Sequence, residues 1–432
     1  MAVTKTVTHS YGSRVGNSFK GVVGGFIAVV AGICLLWWNE GRTVKRQRTL
    51  DQGRKDVVEA KYDEVDSSLE GKLVHVSGAA TTEDVLEDAE FQFAVNAFRL
   101  ERKVEMYQWV EHEEHETKEK LGGSEEETIT YTYKKEWRED LVDSSGFEEG
   151  GHENPTEMPF EAGTIYASSA AFGDYSLNSD QISRVGSLIE LAPAKSEWVQ
   201  KKIKEFQERG VENVKASELG DVCGYRGMEI RGKTFYLPVR PGQENNTAQV
   251  GDVRVSFFYV GPKQDISIIA QQTGSSFQTY MTKNGPLDEL RNGIKGAEEI
   301  FQAAENENKV MAWILRLIGF ILIGKGFSAI FKPLPTLMAF VPFLGKIVGA
   351  GVGLIAWTLA AVISLIVIAI AWLFFRPILA IVLIAAAVGI LVLIKKMKGQ
   401  ATEVAAAAAS TAPAPEAAPA PATPVEGESK QS

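Results

Sequence analysis

Two blocks of apolar sequence constrain this chain more than any other feature. Residues 21–38 (GVVGGFIAVVAGICLLWW) carry no charge, and residues 310–394 are apolar over most of their length. A helix rises about 1.5 Å per residue, so roughly 20 apolar residues cross a hydrocarbon core of about 30 Å. Trp37 and Trp38 end the first run where an interfacial aromatic belt would lie. A cleaved signal peptide fits less well. Polar residues precede the run, tryptophans stand in place of a small-residue cleavage site, and Asn39-Glu40 follow at once.

Further spans are expected at 310–331, at 349–375 and at 378–394, with a short interfacial segment at 336–348 marked by Pro342, Gly345 and Lys346. Arg376-Pro377 makes a polar break between the last two. Arg316 and Lys325 lie on opposite faces of their helix and are expected to snorkel to the headgroups. Four spans place both termini on one side. Lys395, Lys396 and Lys398 favour the cytoplasm for that side, as do Lys325, Lys332 and Lys346 for the loop before the third span, while Arg42, Lys45, Arg46 and Arg48 dissent locally. The expected layout is a cytoplasmic segment 1–20, an extracytoplasmic (lumenal or periplasmic) domain 39–309, and a cytoplasmic tail 395–432. That tail is Ala- and Pro-rich and buries too little apolar surface to order.

The middle region reads as one α+β domain, mainly antiparallel. Period-two, β-branched and aromatic stretches at 104–112 and 128–137 flank Gly122-Gly123-Ser124, which predicts a long hairpin. Strands are also expected at 73–78, 253–261 and 266–270, and helices at 196–209 and 287–306. The fold class is therefore an integral membrane α+β protein, with about four transmembrane helices and the large domain between the first and second. A net charge of −10, from 45 Lys+Arg against 55 Asp+Glu, argues against a nucleic-acid partner. Cys34 and Cys223 are the two cysteines, too few for a disulfide framework or a Cys-rich metal site.

The candidates for chemistry are few. His112 and His115 are three apart on a period-two segment and point to opposite faces, whereas a zincin helix needs them at i and i+4. His152, in Gly150-Gly151-His152-Glu153-Asn154-Pro155, is a loop imidazole without a nucleophile elbow. Cys223 has no local Cys–His signature, and the glycines form no phosphate loop, so no nucleotide is expected. Gly345, Gly349 and Gly353 line one helix face, which serves intramolecular packing and self-association alike. No catalytic, metal or cofactor residue is assigned.

Several stretches together resemble the LUMA family of nuclear-envelope and endoplasmic-reticulum transmembrane proteins. They are Gly21-Val22-Val23, Trp38-Asn39-Glu40-Gly41-Arg42, Glu70 to Val76, and Val104 to Glu111 with Tyr107 and Trp109. Tyr131-Thr132-Tyr133 with Glu136-Trp137-Arg138, Gly151-His152 with Asn154-Pro155, Gly251-Asp252 with Arg254 to Phe257, and Ala371-Trp372-Leu373 with Arg376-Pro377 continue the series. The resemblance implies a large lumenal domain between one N-terminal and three C-terminal spans. It also implies a role in organising membrane protein complexes, with self-association and, in animals, lamin and emerin as partners. No catalytic residue is carried over from the family. The Ala/Pro tail departs from the animal pattern and suggests a bacterial relative, for which lamin and emerin would have no counterpart.

The expectation is a multi-pass membrane scaffold whose partners are membrane lipids, other membrane proteins and copies of itself. Its alternatives are a membrane-linked hydrolase or lipid-modifying enzyme using His152, or more weakly a transporter using Arg316, Lys325 and Lys346. The expected membrane is the bacterial inner membrane with a periplasmic domain, or the endoplasmic reticulum or nuclear envelope in a eukaryote.

Overall fold

The structure, a computed structural model, describes residues 2–377 apart from 213, 216, 217, 220 and 241–246. The expected span at 378–394 and the tail at 395–432 lie outside the described residues. Packing divides the chain into two units, Met1–Ile368 and Ala369–Ser432.

Helix α1 (Tyr11–Asp56) overruns the expected span at both ends. Neither polar flank contains a proline, so nothing breaks the helix, and the Ser10 side chain caps it by accepting from the Ser13 N–H (3.3 Å). Two short helices follow, α2 (Ser179–Arg184) and α3 (Glu197–Glu208). The C-terminal helices are α4 (Ala297–Phe331), α5 (Pro333–Met338) and α6 (Pro342–Phe375). Three helices are long and apolar enough to cross a membrane among the described residues. The expected helix at 287–306 starts late, because Glu289–Asn292 is a strand paired with Lys263–Thr273. The segment 336–348, expected to be interfacial, comprises the end of α5, a turn and the first turns of α6.

Between α1 and α4 lie two main sheets. One runs Ala2–His9, Glu125–Arg138, Arg99–Glu119, Val253–Val260, Thr234–Leu237, Glu229–Arg231. Its inner face carries Val104, Met106, Val253, Val255 and Phe235 into a core with Phe91, Phe93 and Phe257. In the other, Lys263–Thr273 pairs with both Ser276–Gln278 and Leu73–Thr81, and the strands between them close a ring. Val74, Val76, Ile266, Ile268 and Phe277 fill that ring. The alternate residues Leu73 and Ile269 face outward onto Leu50 of α1 and Ile300 and Phe301 of α4. Period two thus gives one sheet two apolar faces, and the second seats the domain on the helix pair.

α1 and α4 run antiparallel in close contact. A Cβ on Gly25 would stand 2.7 Å from the Gly326 carbonyl oxygen, and one on Gly32 would stand 2.9 Å from that of Gly319. These glycines, rather than Gly345, Gly349 and Gly353, set the close helix approach. Gly345 packs on Ala339 and Gly349 faces Pro335, both within the chain, while Gly353 faces open space.

The N-terminal segment departs most from expectation. Ala2–His9 is a strand of the long hairpin, paired with Glu125–Arg138 from Ala2 opposite Thr132 to His9 opposite Glu125. The hairpin tip lies against the start of α1 and the α5–α6 turn. The Arg14 guanidinium donates to the Gly123 carbonyl (2.7 Å) and contacts Glu119 and Glu125 (2.8 Å each). Tyr11 donates to Leu337 O (3.0 Å), and the Gly122 N–H donates to Phe340 O (3.1 Å). Thr49 and Gly53, near the other end of α1, meet Thr282 and Leu287 of the domain body. Residues 1–20 are therefore joined to the middle domain, and the tip sits at the opposite end of the α1–α4 pair from the body. Thirteen residues from Met106 to Glu119 at about 3.3 Å each give roughly 43 Å, which reaches that far.

Candidate functional site

The motif positions of the middle domain converge on one sheet face. Glu105, Tyr107, Trp109 and Glu111 alternate with the core residues Val104, Met106 and Gln108, so all four point away from the core. Across the ladder Tyr107 opposes Trp137, Trp109 opposes Lys135, and Glu105 opposes Arg254, which opposes Tyr236. The result is a ladder of rings and charges. Trp137 contacts Tyr107 (centroids 5.1 Å apart) and lies under the Arg254 guanidinium (4.5 Å). Arg254 grips Glu105 with two bonds of 2.8 and 2.9 Å. Burial alone would raise the Glu105 carboxyl, but the Arg254 bonds and charge hold it below its ordinary value.

Asp252 ties the turn before this strand. It accepts from Tyr236 OH and from the backbone N–H groups of Val239 and Gln249 (2.8 Å each). Burial, and then this carboxylate, push the Tyr236 phenol upward. Gly251 has φ of +95° and donates its N–H to Tyr107 O (2.9 Å), while a Cβ there would meet Val239 and Pro155.

The Gly151–Pro155 loop covers the far end of the ladder. Asn154 acts as a strand would: its Oδ1 accepts from Trp109 N–H (2.7 Å) and its Nδ2 donates to Trp109 O (2.9 Å). His152 stacks on Tyr133 (3.8 Å, 13°) and meets Trp109 edge-on (4.6 Å). Its Nδ1 is 3.3 Å from Glu149 O. No hydroxyl, thiol or carboxylate hydrogen-bonds to His152 among the described residues. Tyr133 donates to Glu111 (2.6 Å), and burial with that carboxylate pushes its phenol up to about 12. A surface cleft of about 610 Å³ is lined by Glu101, Arg102, Lys103, Glu139 and Phe258, and holds none of the motif positions. His112 and His115 contact different carboxylates, Glu136 for the first and Glu127 with Glu113 for the second.

The remaining motif positions sit in the helices. Asn39, Glu40 and Gly41 are buried in α1, and Asn39 donates to Ala312 O (3.0 Å). Glu40 takes both bonds from Arg316 (2.6 and 3.0 Å). Arg316 therefore does not snorkel: its partner comes from the other helix, which its own local sequence does not reveal. Arg42 is partly buried beside them. In the second unit the Arg376 guanidinium stands 5.9 Å over Trp372, and Pro377 follows it.

Known proteins share much of this sequence. A model of the transmembrane protein 43 family matches residues 106–377, from the ladder to the end of the described helices. The chain belongs to the transmembrane protein 43 family. Mouse transmembrane protein 43 is 31% identical over 404 residues, covering 91% of this chain and 92% of its own. The human protein is 30% identical over 386 residues, 87% and 89%. A transmembrane protein 43 homolog of Drosophila melanogaster is 28% identical over 374 residues, 84% and 90%. No solved structure matches the chain. This is the family that the sequence resembles under the name LUMA, and membership makes the chain a multi-pass integral membrane protein.

Proposed function

We propose that this protein is a non-catalytic membrane scaffold that holds other membrane proteins, or copies of itself, by strand addition. The observation that carries this reading is the open edge of Ala2–His9. Among the described residues the strand is paired on one side only, and Ala2, Thr4, Lys5, Thr6 and Thr8 are exposed. Unpaired N–H and C=O groups on such an edge are a template for another strand. The ribbon also runs between the two ends of the apolar α1–α4 pair, so this edge falls at bilayer depth. An open sheet edge is tolerated there where protein covers it or water lines it. The motif ladder supports the same reading: its residues are used in bonding the ribbon base to the domain, and His152 is taken up in stacking on Tyr133 and Trp109.

In the proposed topology the domain body is extracytoplasmic, while the start of α1, the hairpin tip and the C-terminal tail are cytoplasmic, with residues 378–394 completing an even span count. Lys395, Lys396 and Lys398 support it. The tail composition supports a bacterial inner membrane. The test is affinity capture in mild detergent, after crosslinking in membranes, with the full chain and with a chain lacking residues 2–9. The scaffold reading expects protein partners or copies with the first bait and their loss with the second. Recovery of bare bait from both would refute it.

A further inference from the structure

We propose that the tip of the long hairpin is a lipid anchor: Leu121, together with the α5–α6 turn beside it, inserts at the hydrocarbon border of the leaflet opposite the domain body. The tip is unlike the rest of its ribbon. From Glu111 to Thr128 every other residue is charged, polar or glycine, and Leu121 is the one large apolar side chain. It is 85% exposed, more than any other large apolar residue among those described. A single exposed leucine is ordinary, so its surroundings decide its role. The Gly122 N–H donates to Phe340 O (3.1 Å), and Tyr11 donates to Leu337 O (3.0 Å). The Tyr11 ring meets Phe340 edge-on (6.4 Å) and lies against Gly123, where a Cβ would clash with it. The tip is therefore held on the α5–α6 turn. There α5 is inside out: Leu334, Leu337 and Met338 are exposed at i, i+3 and i+4, while Pro333 and Thr336 are buried.

Depth and continuity identify lipid as what covers this patch. Trp38 and Trp313 are exposed, and the Asn39–Ala312 bond joins their neighbours, so the pair marks the border on the body side. Arg14 holds the Gly123 carbonyl and lies 24 residues before Trp38 on the same helix. At 1.5 Å per residue that is about 36 Å, and a tilt of about 20° shortens it to roughly 34 Å. The hydrocarbon core is about 30 Å thick, so the tip stands at its far border. In α6, Phe343, Ile347 and Leu354 are exposed at i, i+4 and i+11, one stripe of a membrane-crossing helix that runs into the turn. Lys332 and Lys346 are exposed on either side of the turn, where cations suit headgroups. Burying a leucine side chain favours the inserted tip by about tenfold or more. The domain is then fixed at both borders, by its seat on α1 and α4 at one and by the ribbon tip at the other.

The test uses the full chain in phosphatidylcholine–phosphatidylglycerol nanodiscs, with a nitroxide on Leu121→Cys in a Cys34→Ala background. Cys223 is buried and does not compete for the label. Power-saturation electron spin resonance reads collisions with oxygen, which concentrates among acyl chains, and with a water-soluble nickel chelate. The oxygen-to-nickel ratio at Leu121 should exceed that at Thr164→Cys, an exposed site on the body, severalfold. A label on Met338→Cys should give a ratio as high as Leu121. Both labelled side chains are exposed, so neither replacement removes packing that the fold needs. Nickel access at Leu121 equal to that at Thr164 would overturn the assignment. So would low access to both reagents, which would mean that protein covers the tip. The label reports the tip alone, so loss of partners from the Ala2–His9 edge would leave this result unchanged.

Discussion

Gly326→Ala tests the closest contact between α1 and α4. A Cβ at Gly326 would lie 2.8 Å from the Gly25 carbonyl oxygen and 2.9 Å from the Val29 nitrogen. Both obstacles are backbone, so no side-chain rotation relieves them and the helices must separate. Overpacking of this kind costs about 1–3 kcal/mol, and backbone obstacles place it near the top of that range. Alanine regains about 1 kcal/mol of helix propensity over glycine, leaving a net loss of about 2 kcal/mol. At roughly 2–4 °C per kcal/mol, the apparent midpoint should fall by about 4–8 °C. Gly24 has nothing within 4 Å of a built Cβ, so Gly24→Ala should be neutral or slightly stabilising. Thermal unfolding of the full chain in mild detergent, followed by loss of the monodisperse species, measures both. Equal midpoints for Gly326→Ala and wild type would refute the close-packed interface.

Other consequences follow from named contacts. Arg316→Ala removes both bonds that the fully buried Glu40 carboxylate accepts from the guanidinium, so it should destabilise by about 3–5 kcal/mol, and Glu40→Gln in the same chain should recover part of that loss in the same assay. Asn154→Ala removes the loop's hold on Trp109 and should cost about 1–3 kcal/mol, with faster amide exchange across 148–155. The Cys223 thiol is buried, donates to Phe91 O (3.3 Å) and is pushed up to about 11 by burial, so maleimide at neutral pH should label it in the unfolded chain and not in the native one. His115 is raised above its ordinary 6.5 by its bonds to Glu127 and Glu113. A raised imidazole stabilises fully below the unfolded value and loses that contribution as pH rises through the folded one. Glu127 also holds His9, so amide exchange at 2–9, corrected for its intrinsic rate, should quicken on that rise, and His115→Gln should remove the dependence.

Much of this architecture is legible in the sequence because its signals are local. Alternation at 104–112 and 128–137 with a Gly-Gly-Ser tip specifies the hairpin, and Ser196 before a 3.6-residue period marks α3. What escaped was long-range. Val3, Thr6 and Val7 have strand character, but nothing near residue 5 says that residues 125–132 would take it as a third strand. Arg316 looks like a lone intruder until Glu40, 276 residues earlier, is placed beside it. Gly25, Gly32, Gly319 and Gly326 are spaced at seven in both helices, a period that the shorter Gly345-Gly349-Gly353 stripe outshone. Each motif is legible residue by residue, but the joint position of the middle-domain motifs on the outer sheet face follows from register, which the sequence of one strand does not contain.

The most direct test of the scaffold reading places a photo-crosslinking benzoylphenylalanine at Thr6, on the open edge, in the full chain in native membranes. The account predicts a discrete protein adduct, either a second copy or another membrane protein, lost when the probe is moved to Thr164 on the domain body. Irradiation that yields lipid adducts alone at Thr6, with the chain otherwise folded, would contradict it.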